Sequence, residues 1–204
     1  MRTNNREQLI TRFALIRHAE TKWNRERRIQ GQQDAPLTPD GRQQAEQWGV
    51  ALRSHRLDHL VTSDLGRARL TAKLINQKLG LTSTVEPRLR EQDWGEWAGL
   101  RLSDLETEEV KTQARMGWHF RPLGGESRLE VLERSRRALV DIAHRLRGHR
   151  VVVVTHGGVI RCLLYRLCKR GFLPEEPPLI EPYRLHWIYY DGDDFHLERL
   201  NDKI

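Results

Sequence analysis

No segment of the 204-residue chain is apolar over the length of a membrane span, and none is of low complexity or internally repeated. The opening "MRTNNREQLITR" is too polar to read as a signal peptide. Cysteine is nearly absent: Cys162 and Cys168 are the only two, and their spacing fits neither a zinc site nor a redox pair. A disulfide framework is thereby excluded, and two thiols without one fit a reducing compartment. The expected location is cytoplasmic, with no membrane partner.

A concentrated basic arm is missing as well. The formal charge of +7 comes from 35 Lys+Arg and 28 Asp+Glu spread along the chain, with arginine far outnumbering lysine. Dispersed charge argues against a nucleic-acid partner, whereas arginine forks suit phosphate and carboxylate. What is present is a globular composition, 38% hydrophobic and 31% charged. One domain over residues 1–204 is expected, its core running from about 11 to 200. A chain of this length buries roughly 70% of its unfolded surface.

Hydrophobic patterning divides the chain into alternating strands and helices. "RFALI" (12–16) reads as a short buried strand ending at Arg17. Thr38 and Pro39 open a helix whose inner face carries Ala45, Trp48, Gly49 and Leu52. "HLVTSD" (59–64) is a second strand, followed by a helix with Leu65, Ala68, Ala72, Ile75 and Leu79 on one face and Gly80 as its stop. "STVEP" (83–87) is a third strand. Residues 92–125 are irregular, an excursion from the core expected to be helical around 103–115. Ser127 and Glu130 form a capping box for a helix with a stripe of Leu129, Leu132, Leu139, Ile142 and Leu146. In "RVVVVTHGGVIRCLLYRLC" four valines run without alternation, the signature of a strand buried on both faces in a parallel sheet. A helix with Ile160, Leu163, Leu164 and Leu167 inward follows at once. The tail reads as a hairpin around Asp191-Gly192. The expected fold class is α/β, a mostly parallel sheet with an antiparallel edge strand.

In open α/β sheets, ligands collect at the carboxyl ends of strands, beside helix N-termini. The first strand delivers Arg17 and His18 there. Arg67 follows the second strand near a helix start, and the valine strand delivers His156, Gly157 and Gly158. If these strands are neighbours, two arginines and two histidines converge. Such a cluster suits a phosphoryl group: the arginines neutralise its oxygens, and a neutral imidazole attacks phosphorus to split hydrolysis into two steps. A protonated second histidine would add one more donor.

A general acid is then required for the departing alcohol. Glu91, after the third strand, is the best-placed carboxylate, and burial beside Trp94 and Trp97 would raise its pKa. By itself it reads first as a surface glutamate paired with Arg88 or Arg90. Trp94, Trp97 and Trp118 form either an apolar wall over the pocket or a satellite core. His55, His59, His144, His149 and His196 read as surface residues, and His186 and Trp187 as sheet packing.

Several stretches in order, "LIRHAETKWN", "RIQGQQDAPLTPDGRQQA", "TSDLGRARLTA", "LREQDWGEWAGL", "GGES" and "VVVVTHGGVIRCLL", resemble the histidine phosphatase superfamily and its phosphoglycerate mutase-like branch. The resemblance runs from about residue 12 to about 168. It implies a phosphoglycerate mutase-like three-layer α/β sandwich that needs no metal or other cofactor. It assigns His18 as the nucleophile, Arg17, Arg67 and His156 as the phosphate pocket, and Glu91 as the proton donor. Asn24 matches a further phosphate contact, and Gln30, Gly31 and Gly157 match positions lining the pocket. Ala19 stands where many members carry glycine. The segment between Glu91 and Gly124 is short for a mutase. The expected function is therefore hydrolysis of small phosphorylated metabolites through a phosphohistidine. Phosphoglycerate mutase and α-ribazole phosphatase are the alternatives, and a homodimer is left open. A module that binds phosphate without turnover would lack the nucleophile or the acid, and neither is missing.

Overall fold

The computed structural model describes residues 10–105 and 107–204; most of the polar N-terminal stretch and the outermost part of the expected domain lie outside the described residues. Six strands form one sheet: β1 (Thr11–Arg17), β2 (His59–Thr62), β3 (Thr82–Val85), β4 (Arg150–Thr155), β5 (Leu185–Tyr190) and β6 (Phe195–Asp202). Their order is β3-β2-β4-β1-β5-β6. β3, β2, β4 and β1 pair in parallel, and β5 pairs antiparallel with both β1 and β6. The mostly parallel sheet is as expected. The reversed strand stands second from the border, because the Asp191-Gly192 hairpin adds β6 outside it.

Six α-helices are described: α1 (Lys22–Arg25), α2 (Pro39–Ala51), α3 (Gly66–Leu79), α4 (Glu108–Arg115), α5 (Arg128–Arg145) and α6 (Gly157–Leu167). Side chains alternate across the sheet, so each strand feeds two cores. Phe13, Leu15, Val151, Val153 and Ile188 pack against α5 and α6 on one face. Ala14, Ile16, Val152, Val154 and Trp187 pack against α2 and α3 on the other. The valine run is thus buried on both sides, and the three-layer sandwich follows from it.

Most local expectations hold. Trp48 is buried in α2, and Gly80 ends α3 in a left-handed turn at φ +66°. Ser127 and Glu130 form the capping box of α5. The buried stripe of that helix differs from the expectation: Val131, Ser135 and Ala138 join Leu132, Leu139 and Ile142, while Leu129 and Leu146 are only half-buried. Packing against both the sheet and α6 widens the buried face beyond one leucine row. His59 is buried, not on the surface, because it begins β2 and pairs with both β3 and β4. β3 itself is exposed at the sheet border.

The excursion is helical where expected, with a 3₁₀ turn at Leu102–Leu105 followed by α4. Trp94 and Trp97 join Ile29, Leu105 and Phe120 in a satellite core. Trp118 packs edge-on against Phe172 at the margin of the main core, which decides its role in favour of packing.

One helix start is tied directly to the chain leaving β1. The Thr38 hydroxyl accepts from Gly41 N–H at 2.9 Å and donates to the Glu20 carboxylate at 2.8 Å, while Thr38 N–H donates to the Glu20 carbonyl at 3.0 Å. Replacing this N-cap by alanine leaves a helix donor unpaired. Thr38→Ala is expected to lower stability by about 1 kcal/mol, and Thr38→Ser by much less. Urea-unfolding midpoints of the two variants check it.

Candidate active site

Parallel pairing sets the site. Arg17 lies opposite Thr155, and Thr62 lies opposite Val154, so β1, β4 and β2 end side by side. The pairing continues one step further, with His18 N–H donating to the Thr155 carbonyl at 2.8 Å and Ser63 N–H to the Val154 carbonyl at 3.0 Å. His18, His156 and Arg67 are all buried at this edge. The His18 and His156 rings are 5.2 Å apart.

His18 is held as a neutral base. Its Nδ1 lies 2.8 Å from the Ala19 carbonyl, which can only accept, so the proton sits on Nδ1 and Nε2 carries the lone pair. Burial drives its pKa well below the ordinary histidine value, and the charges of Arg17 and Arg67 add to the effect. Arg67 Nε donates to that Nε2 at 3.2 Å.

Arg67 is fixed from three further directions. It donates to the Gly31 carbonyl at 2.7 Å, the Gln33 carbonyl at 2.6 Å and the Asp34 carboxylate at 2.9 Å. The same carboxylate accepts from Gly66 N–H at 2.6 Å and Arg67 N–H at 3.3 Å. It therefore caps α3, whose own N-cap residue, Leu65, offers no side-chain acceptor. Asp34 has no role in the sequence reading, and only its presence in a polar loop hinted at one. Gly31 adopts φ +51°, and a Cβ there would come 3.2 Å from Trp94 N, so glycine is required where the loop turns.

Arg17 differs in kind. Its Nε is buried with no hydrogen-bond partner among the described residues. His156 Nδ1 is a second such atom, while its Nε2 lies 2.8 Å from the Ser63 hydroxyl. Burial also drives the His156 pKa well down, reinforced by Arg67, His18 and Arg17. The second imidazole is thus neutral, and the condition of a protonated one is not met. It need not be charged to donate: with Nε2 accepting from Ser63 O–H, Nδ1–H is left for an anion. Ser63 was missed because a serine at a strand end carries no pattern.

Glu91 reaches the same edge. Its carboxylate accepts from Gly158 N–H at 3.0 and 3.1 Å, in the first turn of α6, and from Gln92 N–H at 2.8 Å. Arg88 pairs with Glu86 and Asp141, and Arg90 with Asp64. The surface-pair alternative for Glu91 is removed. Trp94 and Trp97 belong to the satellite core, and it is the helix N-terminus that holds the carboxylate.

The remaining residues lie around this centre. Gly157 lies against Arg17, where a Cβ would come 3.6 Å from Nε. Gln30 is buried with Oε1 unpaired. Asn24 Oδ1 is engaged in the cap of α1, accepting from Thr21 N–H and Oγ at 3.1 and 3.0 Å. Among the described residues no group of three or more His, Cys, Asp or Glu side chains is placed to hold a metal ion.

The profile of the histidine phosphatase superfamily (branch 1) matches residues 13–203. A Salmonella paratyphi A protein named probable phosphoglycerate mutase GpmB is 42% identical over 159 residues, 74% of this chain and 71% of that one. Bacillus stearothermophilus YhfR superposes with a TM-score of 0.85 at 32% identity, over 95% of this chain and 98% of that one. A mycobacterial glucosyl-3-phosphoglycerate phosphatase, Rv2419c, solved with VO3, gives 0.82 at 30% identity, over 94% and 99%.

Two buried imidazoles with lowered pKa make stability depend on pH. Below the ordinary value of 6.5 the unfolded chain binds protons that folded His18 and His156 refuse. Stability is therefore full above that pH and falls on acidification, by about 1.4 kcal/mol per pH unit for each group. Urea midpoints measured from pH 7 to 5 should fall, and His18→Ala/His156→Ala should show a shallower fall.

Proposed function

Since the chain belongs to the histidine phosphatase superfamily, we propose that it hydrolyses small-molecule phosphate monoesters through a phosphohistidine on His18. One observation carries this reading. A buried neutral imidazole with Nε2 free of its proton stands among Arg67, the unpartnered Arg17 Nε and the unpartnered His156 Nδ1. Unsatisfied buried donors are costly, and a phosphoryl group would satisfy both.

The first step follows from this geometry. His18 Nε2 attacks phosphorus, the ester P–O bond breaks, and the departing alkoxide takes a proton from Glu91. Arg17, Arg67 and His156 Nδ1–H stabilise the equatorial oxygens as charge spreads over them. Arg67 Nε exchanges His18 for a phosphoryl oxygen, while its contacts to Gly31, Gln33 and Asp34 keep the guanidinium in place. In the second step Glu91 takes a proton from water, the water oxygen attacks phosphorus, and the P–N bond breaks to release inorganic phosphate. Asn24 and Gln30 border the phosphate, Asn24 through its remaining amide donors, and Gly157 gives it room. No step calls on a metal ligand set.

The Salmonella relative's name supports a second reading, phosphoglycerate mutase, in which the phosphoryl group returns to substrate. The glucosyl-3-phosphoglycerate phosphatase supports hydrolysis, and α-ribazole phosphate remains a candidate substrate. Incubation with 3-phosphoglycerate and a trace of the bisphosphate separates the readings. Little free phosphate with rapid formation of 2-phosphoglycerate would favour the mutase.

Two variants test the chemistry. His18→Ala is expected to lower hydrolysis of p-nitrophenyl phosphate by about a thousandfold or more, with loss of an acid-labile phosphoryl adduct in rapid-quench mass spectrometry. Wild-type activity in that variant would sink the assignment. A Cβ on Gly158 would lie 2.1 Å from Glu91 Oε1. Gly158→Ala is therefore expected to displace the carboxylate and slow turnover at least about tenfold, while thermal unfolding changes little.

A further inference from the structure

The segment carrying Glu91 has little regular structure of its own. Among the described residues between β3 and α4, regular structure is confined to short 3₁₀ turns at Pro87–Leu89, Gly95–Trp97 and Leu102–Leu105 and one isolated bridge from Arg101 to Arg28. Its main-chain carbonyls must find partners elsewhere, and four consecutive ones find side chains.

Arg134, in the second turn of α5, supplies three of these bonds. Nη1 donates to the Arg88 and Arg90 carbonyls, each at 2.7 Å, and Nη2 donates to the Glu91 carbonyl at 3.0 Å. Thr155, at the end of β4, donates to the intervening Leu89 carbonyl at 2.7 Å. The two remaining N–H groups of Arg134 go to Glu126, at 2.6 Å from Nε and 2.8 Å from Nη2. All five guanidinium donors are used, a pattern that lysine with three donors cannot reproduce. Both side chains are largely buried, at 20% and 17% exposure.

Glu126 also grips the other side of the segment. Its N–H donates to the Asp93 carbonyl at 2.9 Å, and its own carbonyl accepts from Gln92 Nε2 at 2.6 Å. Its carboxylate accepts from Asp93 N–H at 3.3 Å. None of these bonds reaches His18, Arg17 or Arg67. Their common object is the backbone on either side of Glu91.

We propose that Arg134, oriented by Glu126, is the positioning residue for the acid–base group. It locks the Glu91 backbone so that the carboxylate remains on Gly158 N–H at the sheet edge. The inference rests on the reading of Glu91 as proton donor. A carboxylate that has drifted by about 1 Å loses most of its advantage as a general acid. The loss depends on how much the leaving group needs the proton, and this separates positioning from mere folding.

The test is the rate of phosphoenzyme formation, by rapid quench, for 2,4-dinitrophenyl phosphate, phenyl phosphate and an alkyl phosphate. Arg134→Lys and Glu126→Gln are expected to slow the phenyl and alkyl esters about tenfold to a hundredfold. The dinitrophenyl ester, whose leaving group needs no proton, should stay within about threefold of wild type, and inhibition by inorganic phosphate should be unchanged. Equal slowing of all three esters, or no slowing, would overturn the proposal. Glu126→Gln conserves volume and carries the test if Arg134→Lys does not fold. Glu91→Gln runs alongside: a steep leaving-group dependence there with a flat one in the other variants removes only the positioning role. A flat dependence in Glu91→Gln itself removes the proton-donor reading and this inference with it.

Discussion

β4 lies between β1 and β2, and its two parallel ladders bring the site together. Through them the residues after three strands, separated by as many as 138 positions between His18 and His156, reach one edge. A shift of one residue in either ladder would turn the following side chains to the opposite face. Within the run one buried valine would replace another, so the ends resist such a shift: a slip would draw Arg150 into the apolar core or carry His156 away from Ser63. The core thereby holds the site geometry, and the helices that cover it bring their N-termini to the same edge.

That edge is electrostatically expensive. Arg17 and Arg67 are buried cations whose pKa burial lowers, with the Glu91 charge opposing the effect at each. Asp34 directly neutralises only Arg67. Burial is the main reason that His18 and His156 stay neutral, and the excess positive character adds to it, so the groups that would bind an anion also help to leave His18 Nε2 unprotonated. A phosphoryl dianion reverses the local balance by supplying the missing negative charge. On the proposed reading such a ligand would relieve the site, a common basis for preorganised electrostatic catalysis.

Much of this was legible in the residues. The unbroken valines implied a two-sided strand, the Thr38-Pro39 and Ser127-Glu130 signals marked true helix starts, and Gly80 marked a true stop. These features depend on a few neighbouring residues, so local chemistry decides them. The leucine stripe of α5 was less accurate, since its buried width depends on what packs there. His59 was misplaced for the same reason: a polar residue at a strand start is buried when strands flank it on both sides. Ser63, Asp34, Arg134 and Glu126 were silent, because their roles consist of hydrogen bonds to groups that only the fold brings near.

Glu91 shows the division most clearly. Local sequence offered Arg88 and Arg90 as its partners, and both arginines instead pair with other carboxylates. Only the folded chain sets Gly158 N–H beneath it, 67 positions away. By itself the sequence determined the residue types, the alternation of strands and helices, and the family likeness, all encoded by short-range pattern. Tertiary structure alone decided how deeply the His18 ring is buried, which arginine lacks a partner and which donor holds the Glu91 carboxylate. Each of those depends on long-range pairing and burial, which no local window of residues contains.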